Sequence, residues 1–338
     1  KSLLYNAMGE WLGFLMPKAS GTELAMTVFH PGRGNRNIIA QGWSRKSLAV
    51  IAANIAAAFA QMHEKGILMG DINPRNFLVA SDCSVYLVDC DSYQFGGFAC
   101  PVGTILYTPP EVHREMRARG KEHYGYTRTE DHERYSLAVL LFEILMLGKA
   151  PYESRNNNPQ DVQEAIISGD FPYPYHADDE EAENRPVGKV NAPVGQWRQI
   201  WSHTTYLVKT GFYNTFTNKN RLSARQWEEI FREYARQIEL GHSSDELVPR
   251  GYKDTSGREG EDGTKMVNLI CQDCGLPFNL AEAEAARRTR SVQYPLGNPP
   301  ELPAAGEDRY LRLLRRFFRI QRGRMDGAGP GRQTHAVP

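Results

Sequence analysis

An aspartate, an asparagine five residues on, and a second aspartate beyond an apolar run punctuate HEKGILMGDINPRNFLV and the VDCDS that follows it. These are Asp71, Asn76 and Asp89. Moving a phosphoryl group to a hydroxyl requires a carboxylate beside the attacking oxygen. It also requires an amide and a second carboxylate to hold the metal on a triphosphate. Asp71 suits the first role, and Asn76 and Asp89 suit the other two. A single G-D or D-x-D pair carries little weight, because turns are rich in such residues. Here the polar residues sit at fixed offsets around two short apolar segments, 77–79 and 85–88, which points to a site rather than an acidic hairpin.

Those two segments read as strands flanking a turn at 81–84, with the chemistry on their outer ends. Leu48, Ile51, Ala52, Ile55, Phe59 and Met62 recur at helical spacing over 47–65, and Gly66 supplies a stop. His63, at the end of that helix, reads as a packed or capping histidine rather than a catalytic one. Met62 and Met69 read as core fillers. Residues 133–147 are nearly all apolar, too short for a membrane span, and predict a helix buried on most sides. Residues 223–240 predict an amphipathic helix with Trp227, Ile230, Phe231 and Tyr234 inward. An apolar strand at 11–16 is stopped by Pro17, and 172–193, with the acidic run 178–183, predicts a surface loop.

With 338 residues, 41% hydrophobic and 24% charged, the chain can bury a large core or two. A net charge of zero argues against wholesale binding of nucleic acid or membrane. Three of the five cysteines, Cys83, Cys90 and Cys100, are isolated, so no disulfide framework is expected and a reducing cytoplasm fits. No apolar run reaches bilayer length, and no signal peptide opens the chain, which starts at Lys1 rather than methionine. Residues 241–265 turn Gly-, Ser- and charge-rich and read as a linker. Cys271 and Cys274, followed by Gly275, form half a zinc knuckle within 266–280. Structural zinc needs four ligands, and neither His242 nor His335 has suitable spacing. A truncated ribbon is the favoured reading, with Zn2+ held by Cys271 and Cys274 within this chain the lesser one. From 281 to 338 there are eleven arginines and no lysine, which predicts a disordered tail or a shifted reading frame.

Beyond the catalytic loop, residues 103–111 read GTILYTPPE. This resembles the end of the activation segment of eukaryotic-type protein kinases, G-T-x-x-Y-x-x-P-E. Gly70-Asp71 is also similar to the loop of aminoglycoside- and choline-type kinases, but those lack the peptide-substrate segment. The resemblance is to bacterial serine/threonine kinases with G-D-x-N loops, V-D-x-D-S metal motifs and P-V-G-T-x-x-Y-T-P-P-E segments. It covers roughly 11–234. It implies an α+β protein-kinase-like fold, mostly helical C-lobe with a remnant of the small lobe, over 1–240. It implies transfer of the ATP γ-phosphoryl group to protein hydroxyls with Mg2+ or Mn2+. A phosphatase and a von Willebrand-type domain protein are implied as partners.

Carried over by residue, the resemblance makes Asp71 the hydroxyl-orienting carboxylate, with Asn76 and Asp89 as metal ligands. Thr104 would bridge the substrate segment to Asp71, and Glu111 would pair with Arg221. Met16 would be the gatekeeper, Pro17 and Ala19 the adenine-binding hinge, and Glu23 the ribose contact. Several positions depart from the pattern. Gly70 replaces an arginine, which argues against control by activation-loop phosphorylation. Asn73 replaces the catalytic-loop lysine. Asp91 replaces a glycine; were the strand to continue, Asp89 and Asp91 would share a face and both see metal, whereas the competing reading makes Asp91 a turn former. Glu133 stands where the buried helix usually opens with aspartate, with Asp131 a possible substitute. There is no Gly-rich loop or strand lysine, and too little chain precedes Trp11 to hold them. The expectation is a kinase lacking most of its small lobe and catalytically silent alone, or else a non-catalytic scaffold.

Overall fold

Two helices that pack along each other are each fixed at the first turn by their own side chains. The computed structural model describes residues 2–30, 32–100, 103–120, 127–153, 158–173, 193, 196–241 and 243–249, and the backbone of 268–270 and 277–279. Helix α2 (Arg45–His63), preceded by the short α1 (Gly34–Ala40), starts at Ser44, whose hydroxyl accepts from the Ser47 N–H in a capping box. Helix α8 (Ala224–Glu239) starts the same way, with Ser223 and Gln226. Alanines 49, 52, 53, 56 and 60 on α2 are buried. Their small side chains let the backbones approach while α8 contributes Trp227, Ile230, Phe231 and Tyr234, all buried as their spacing predicts.

Helix α4 (Glu130–Leu145), capped by Thr129, runs through the interior and is buried along 137–145. Phe142 lies 5.1–6.2 Å, ring centre to ring centre, from Phe171, Tyr173, Trp201, Phe212 and Phe216. Most of these contacts are edge-on, the arrangement the ring quadrupoles favour. Around this centre pack α3 (Pro110–Ala118), α5 (Pro159–Ser168), α6 (Trp197–Ser202) and α7 (Tyr206–Phe216). On α7 the absent side chain of Gly211 makes room for the Trp227 ring, which a Cβ would meet at 2.7 Å.

Three strands cap the helices: β3 (Thr22–Glu23), β4 (Phe77–Val79) and β5 (Val85–Leu87), antiparallel in the order β3-β4-β5. A separate hairpin joins β1 (Ser2–Tyr5) to β2 (Trp11–Leu15), with Trp11, Leu12 and Leu15 turned to solvent. Backbone pairs β6 (Asn268–Ile270) and β7 (Pro277–Asn279) lie within the expected knuckle. Cys271, Cys274, His242, most of the acidic loop and linker, and the tail lie outside the described residues.

The structure differs from the sequence reading in its element list. Strand β1, at residues 2–5, pairs with the strand expected at 11–16, and helices α1, α3, α5, α6 and α7 had not been anticipated. They are short, at 6 to 11 residues, so each shows too few turns for its periodicity to stand out. Among the described residues no helix is long and apolar enough to cross a membrane.

Glu143 is the exceptional polar group of α4. It is buried, accepts a hydrogen bond from the Tyr107 hydroxyl, and its carboxyl is pushed up to about 8. Burial is the main cause; the Tyr107 bond opposes it and the charge of Glu153 adds to it. The folded protein therefore binds this proton more tightly than the unfolded chain. Stability should fall as pH rises from the ordinary carboxyl value near 4.5 towards 8. Glu143→Gln should flatten that slope in denaturant unfolding, and an unchanged slope would remove Glu143 as its source.

Candidate active site

The pairing of β4 with β5 sets Phe77 opposite Leu87, and just beyond it the Val88 N–H donates to the Asn76 carbonyl at 3.0 Å. Asn76 and the chain leading into Asp89 therefore meet at one end of the ribbon. A single 3-10 turn, Pro74–Asn76, leads there, with Pro74 at its first position and Asn73 as its cap. The Asn73 side-chain oxygen accepts from the Arg75 N–H at 3.0 Å. Asn76, buried, donates its amide to the Asp71 carbonyl at 3.2 Å, which keeps its own carbonyl oxygen as an acceptor. Asp71 Oδ1 accepts from the Thr104 hydroxyl at 3.3 Å. The structure thus brings together Asp71, Asn76 and Thr104, with Asp89 one residue from Val88.

Asp91 does not follow the strand-continuation reading. Strand β5 ends at Leu87, Asp89 is left-handed at φ +60°, and residues 90–92 make a 3-10 turn. The alternation that would have set Asp89 and Asp91 on one face is gone, and Asp91 sits in a turn. A left-handed non-glycine residue costs of order 1–3 kcal/mol and persists only where its surroundings dictate it.

The catalytic loop is anchored from below. Glu133, 1% exposed at the start of α4, accepts from the Gly70 N–H at 2.9 Å and holds His63 Nε2 at 2.7 Å. Of the two acidic residues at this helix start, Glu133 bonds the loop, whereas Asp131 accepts from Arg221. His63 packs edge-on against Phe59 and reaches the loop through Glu133. Gly70 is required on two counts: its φ is +79°, and a Cβ would stand 2.4 Å from the buried Cys100 sulfur.

Arg221 grips Glu111 with both arms, 2.7 Å each, reaches Asp131 at 2.9 Å, and lies over the Tyr135 ring. Burial alone would raise the Glu111 carboxyl, but the Arg221 bonds and charge outweigh it and hold it below its ordinary value. Glu111 is 38% exposed, so this is a half-buried pair rather than the fully buried one its apolar neighbours in sequence suggest.

Of the expected nucleotide contacts, Met16 follows β2 with 63% of its surface exposed, and Pro17 and Ala19 lie on the link from β2 to β3. Glu23, in β3, pairs with Leu78. The Asn76 amide oxygen and the Asp89 carboxylate are hard oxygen donors. A magnesium-type ion on a triphosphate needs only one or two such protein ligands. Among the described residues no group of three or more His, Cys, Asp or Glu could hold a metal. Sequence reasoning passed over Gln94 and Arg128, both buried, Gln94 bonded to the Arg128 backbone and Arg128 reaching the Cys100 carbonyl and Gly103. A glutamine and an arginine in polar surroundings carry no periodic signal.

Residues 18–238 match the family described as the protein kinase domain. The chain belongs to the protein kinase family. It is 36% identical over 148 residues to Protein kinase YegI of Escherichia coli K12, across 43% of this chain and 22% of that protein. It is 29% identical over 207 residues to the cGMP-dependent protein kinase of Toxoplasma gondii, across 58% of this chain and 19% of that protein. With Serine/threonine-protein kinase CG17528 of Drosophila melanogaster it shares 30% over 142 residues, across 40% of this chain and 18% of that protein. The chain thus spans less than a quarter of the length of these relatives.

Two substitutions probe this frame. Gly70→Ala should cost about 1–3 kcal/mol, part collision and part backbone strain. Adding Cys100→Ala should recover only the share of the collision due to the sulfur, since the Cys100 Cβ at 2.7 Å and the Ser92 carbonyl at 3.0 Å remain, as read by thermal unfolding of the single and double variants. Full recovery would mean that the backbone conformation carries no cost. Glu111→Gln should cost about 1–2 kcal/mol at neutral pH, less than a fully buried pair because solvent screens it and Asp131 remains. Because the folded carboxyl lies below its ordinary value, its contribution is present above that value and lost as pH falls through the lowered one. The gap between parent and variant should therefore close on acidification; a constant gap would trace the loss to packing.

Proposed function

We propose that this chain carries the catalytic lobe of a serine/threonine protein kinase that moves the γ-phosphoryl group of ATP to protein hydroxyls. The hydrogen bond from Thr104, on the GTILYTPPE segment, to Asp71 Oδ1 supports this reading best. It joins the segment that would present a substrate to the carboxylate that would orient its hydroxyl. Asn76 and Asp89 are read as the ligands of Mg2+ or Mn2+, which would neutralise charge on the phosphates. Asn73 is read as holding the loop, Met16, Pro17 and Ala19 as meeting adenine, and Glu23 the ribose. The printed names of the Drosophila relatives support serine and threonine as acceptors. A cytoplasmic setting and the phosphatase and von Willebrand-type partners rest on the resemblance alone.

A second reading, favoured by Asn73 standing where the catalytic-loop lysine is expected, is a polypeptide that transfers no phosphate and serves as a scaffold. The test is ATP-dependent labelling of a generic protein substrate by this polypeptide and by one that adds a small lobe. Transfer by the longer protein should need Mg2+ or Mn2+, and should fall about 10²–10⁴-fold in Asp71→Asn. Asp89→Ala should abolish it. Transfer indifferent to Asp89→Ala would sink the metal assignment, and a silent long protein that still captures a partner would favour the scaffold.

A further inference from the structure

Gln94 and Arg128 belong to no motif used above, yet both are buried and tie together the two chain segments that meet at Asp71. The Gln94 backbone pairs in both directions with Leu68, three residues before Asp71, at 2.9 and 2.8 Å. Its side-chain amide then pairs in both directions with the Arg128 backbone. Nε2 donates to the Arg128 carbonyl at 2.7 Å, and Oε1 accepts from the Arg128 N–H at 3.0 Å. Arg128 directly precedes Thr129, the cap of the buried helix α4, so its backbone is held on a rigid mount.

From that mount the Arg128 guanidinium reaches the substrate-side segment. Nη1 donates to the Cys100 carbonyl at 3.3 Å, and Nη2 fills the space where a Gly103 side chain would lie, 2.0 Å from an ideal Cβ. Gly103 precedes Thr104, whose hydroxyl bonds to Asp71. The connections close a ring: Asp71 to Leu68 along the chain, Leu68 to Gln94, Gln94 to Arg128, Arg128 to Gly103, and Thr104 back to Asp71. Cys100 packs inside it against Gly70.

We propose that Gln94 and Arg128 are positioning residues that hold Cys100, Gly103 and Thr104 against the chain at Asp71. The segment is thereby assembled by groups internal to the chain, with Gly70 standing where an arginine would serve a phosphorylated loop. The role in catalysis rests on the reading of Asp71 as the hydroxyl-orienting carboxylate; the ring itself does not. Buried hydrogen bonds left half-made cost their full desolvation, so either residue should loosen the segment when truncated.

Two measurements separate the claims. In hydrogen exchange on this chain, Gln94→Leu and Arg128→Met should each speed exchange over 95–108 roughly five- to tenfold. Exchange in α2 and α8 should stay unchanged, and Arg128→Lys should restore most of the protection. Exchange that rises uniformly across the lobe, or not at all over 95–108, overturns the proposal. In phosphotransfer by a protein with a small lobe, both variants should lower kcat and raise KM for the protein substrate. KM for ATP should be unmoved, with partial rescue by Arg128→Lys. An effect on ATP alone also overturns it. If the parent transfers no phosphate, the kinase reading fails and the exchange result still decides the ring.

Discussion

Taking a carboxyl group out of water costs several kcal/mol unless neighbouring donors replace the lost hydration. Glu133 meets that condition with the Gly70 N–H on one oxygen and His63 on the other. The requirement is mutual. Gly70 is left-handed and its N–H is directed away from any regular ladder, so without Glu133 a buried donor would go unmet. The loop bearing Asp71 is therefore fixed to α4 by a bond that neither partner can give up cheaply. The Glu133 side chain reaches the loop with one oxygen and leaves the other for a histidine on α2, which ties a third element into the same contact.

Helix α4 holds the substrate side of the site as well. Ser136 donates to the Tyr107 carbonyl at 2.6 Å, and the Tyr107 hydroxyl donates to Glu143 two turns further on. Asp131, on the first turn, receives Arg221, which in turn holds Glu111 at the start of α3. The loop bearing Asp71, the segment bearing Thr104 and Tyr107, and the helix after it are thus referred to one rod whose far half is wrapped by aromatic rings. Displacing α4 would move all of them together, and a local change at one contact leaves the others in register. This is how a site assembled from distant segments keeps angstrom-level geometry.

What the sequence made legible follows from how strongly each feature is patterned. Asp71, Asn76, Asp89, Thr104 and the Glu111–Arg221 pair stand at offsets set by chemistry, and the structure brings these residues into the relations described. Helices α2, α4 and α8 could be read because each hides a long apolar face or a whole apolar run. The middle of the chain was harder. Helices α3 and α5 are short and amphipathic, with prolines at their first positions, and proline more readily suggests a turn. The two readings of Asp91 could not be separated in sequence, because strand alternation cannot announce where a strand stops. The left-handed Asp89 that ends it leaves no mark in residue type, aspartate being common in strands' ends and turns alike. Gln94 and Arg128 were invisible because their partners are backbone atoms, which every residue possesses.

That last point bears on how the site is stabilised. Side chain to side chain pairs leave a trace in sequence, since both partners must be of matching type. Here the contacts nearest Asp71 are mostly side chain to backbone: Asn76 to the Asp71 carbonyl, Glu133 to the Gly70 N–H, Gln94 to Arg128, Arg128 to the Cys100 carbonyl. Such bonds fix the path of the main chain rather than the rotamer of one residue. They suit a chain that turns left-handed at Gly70 before β4 and again at Asp89 after β5, the latter a conformation a non-glycine residue seldom adopts unaided. The polar side chains around the loop thus hold the main-chain path that presents Asp71, and Thr104, bonded to its carboxylate, is the substrate segment's point of contact.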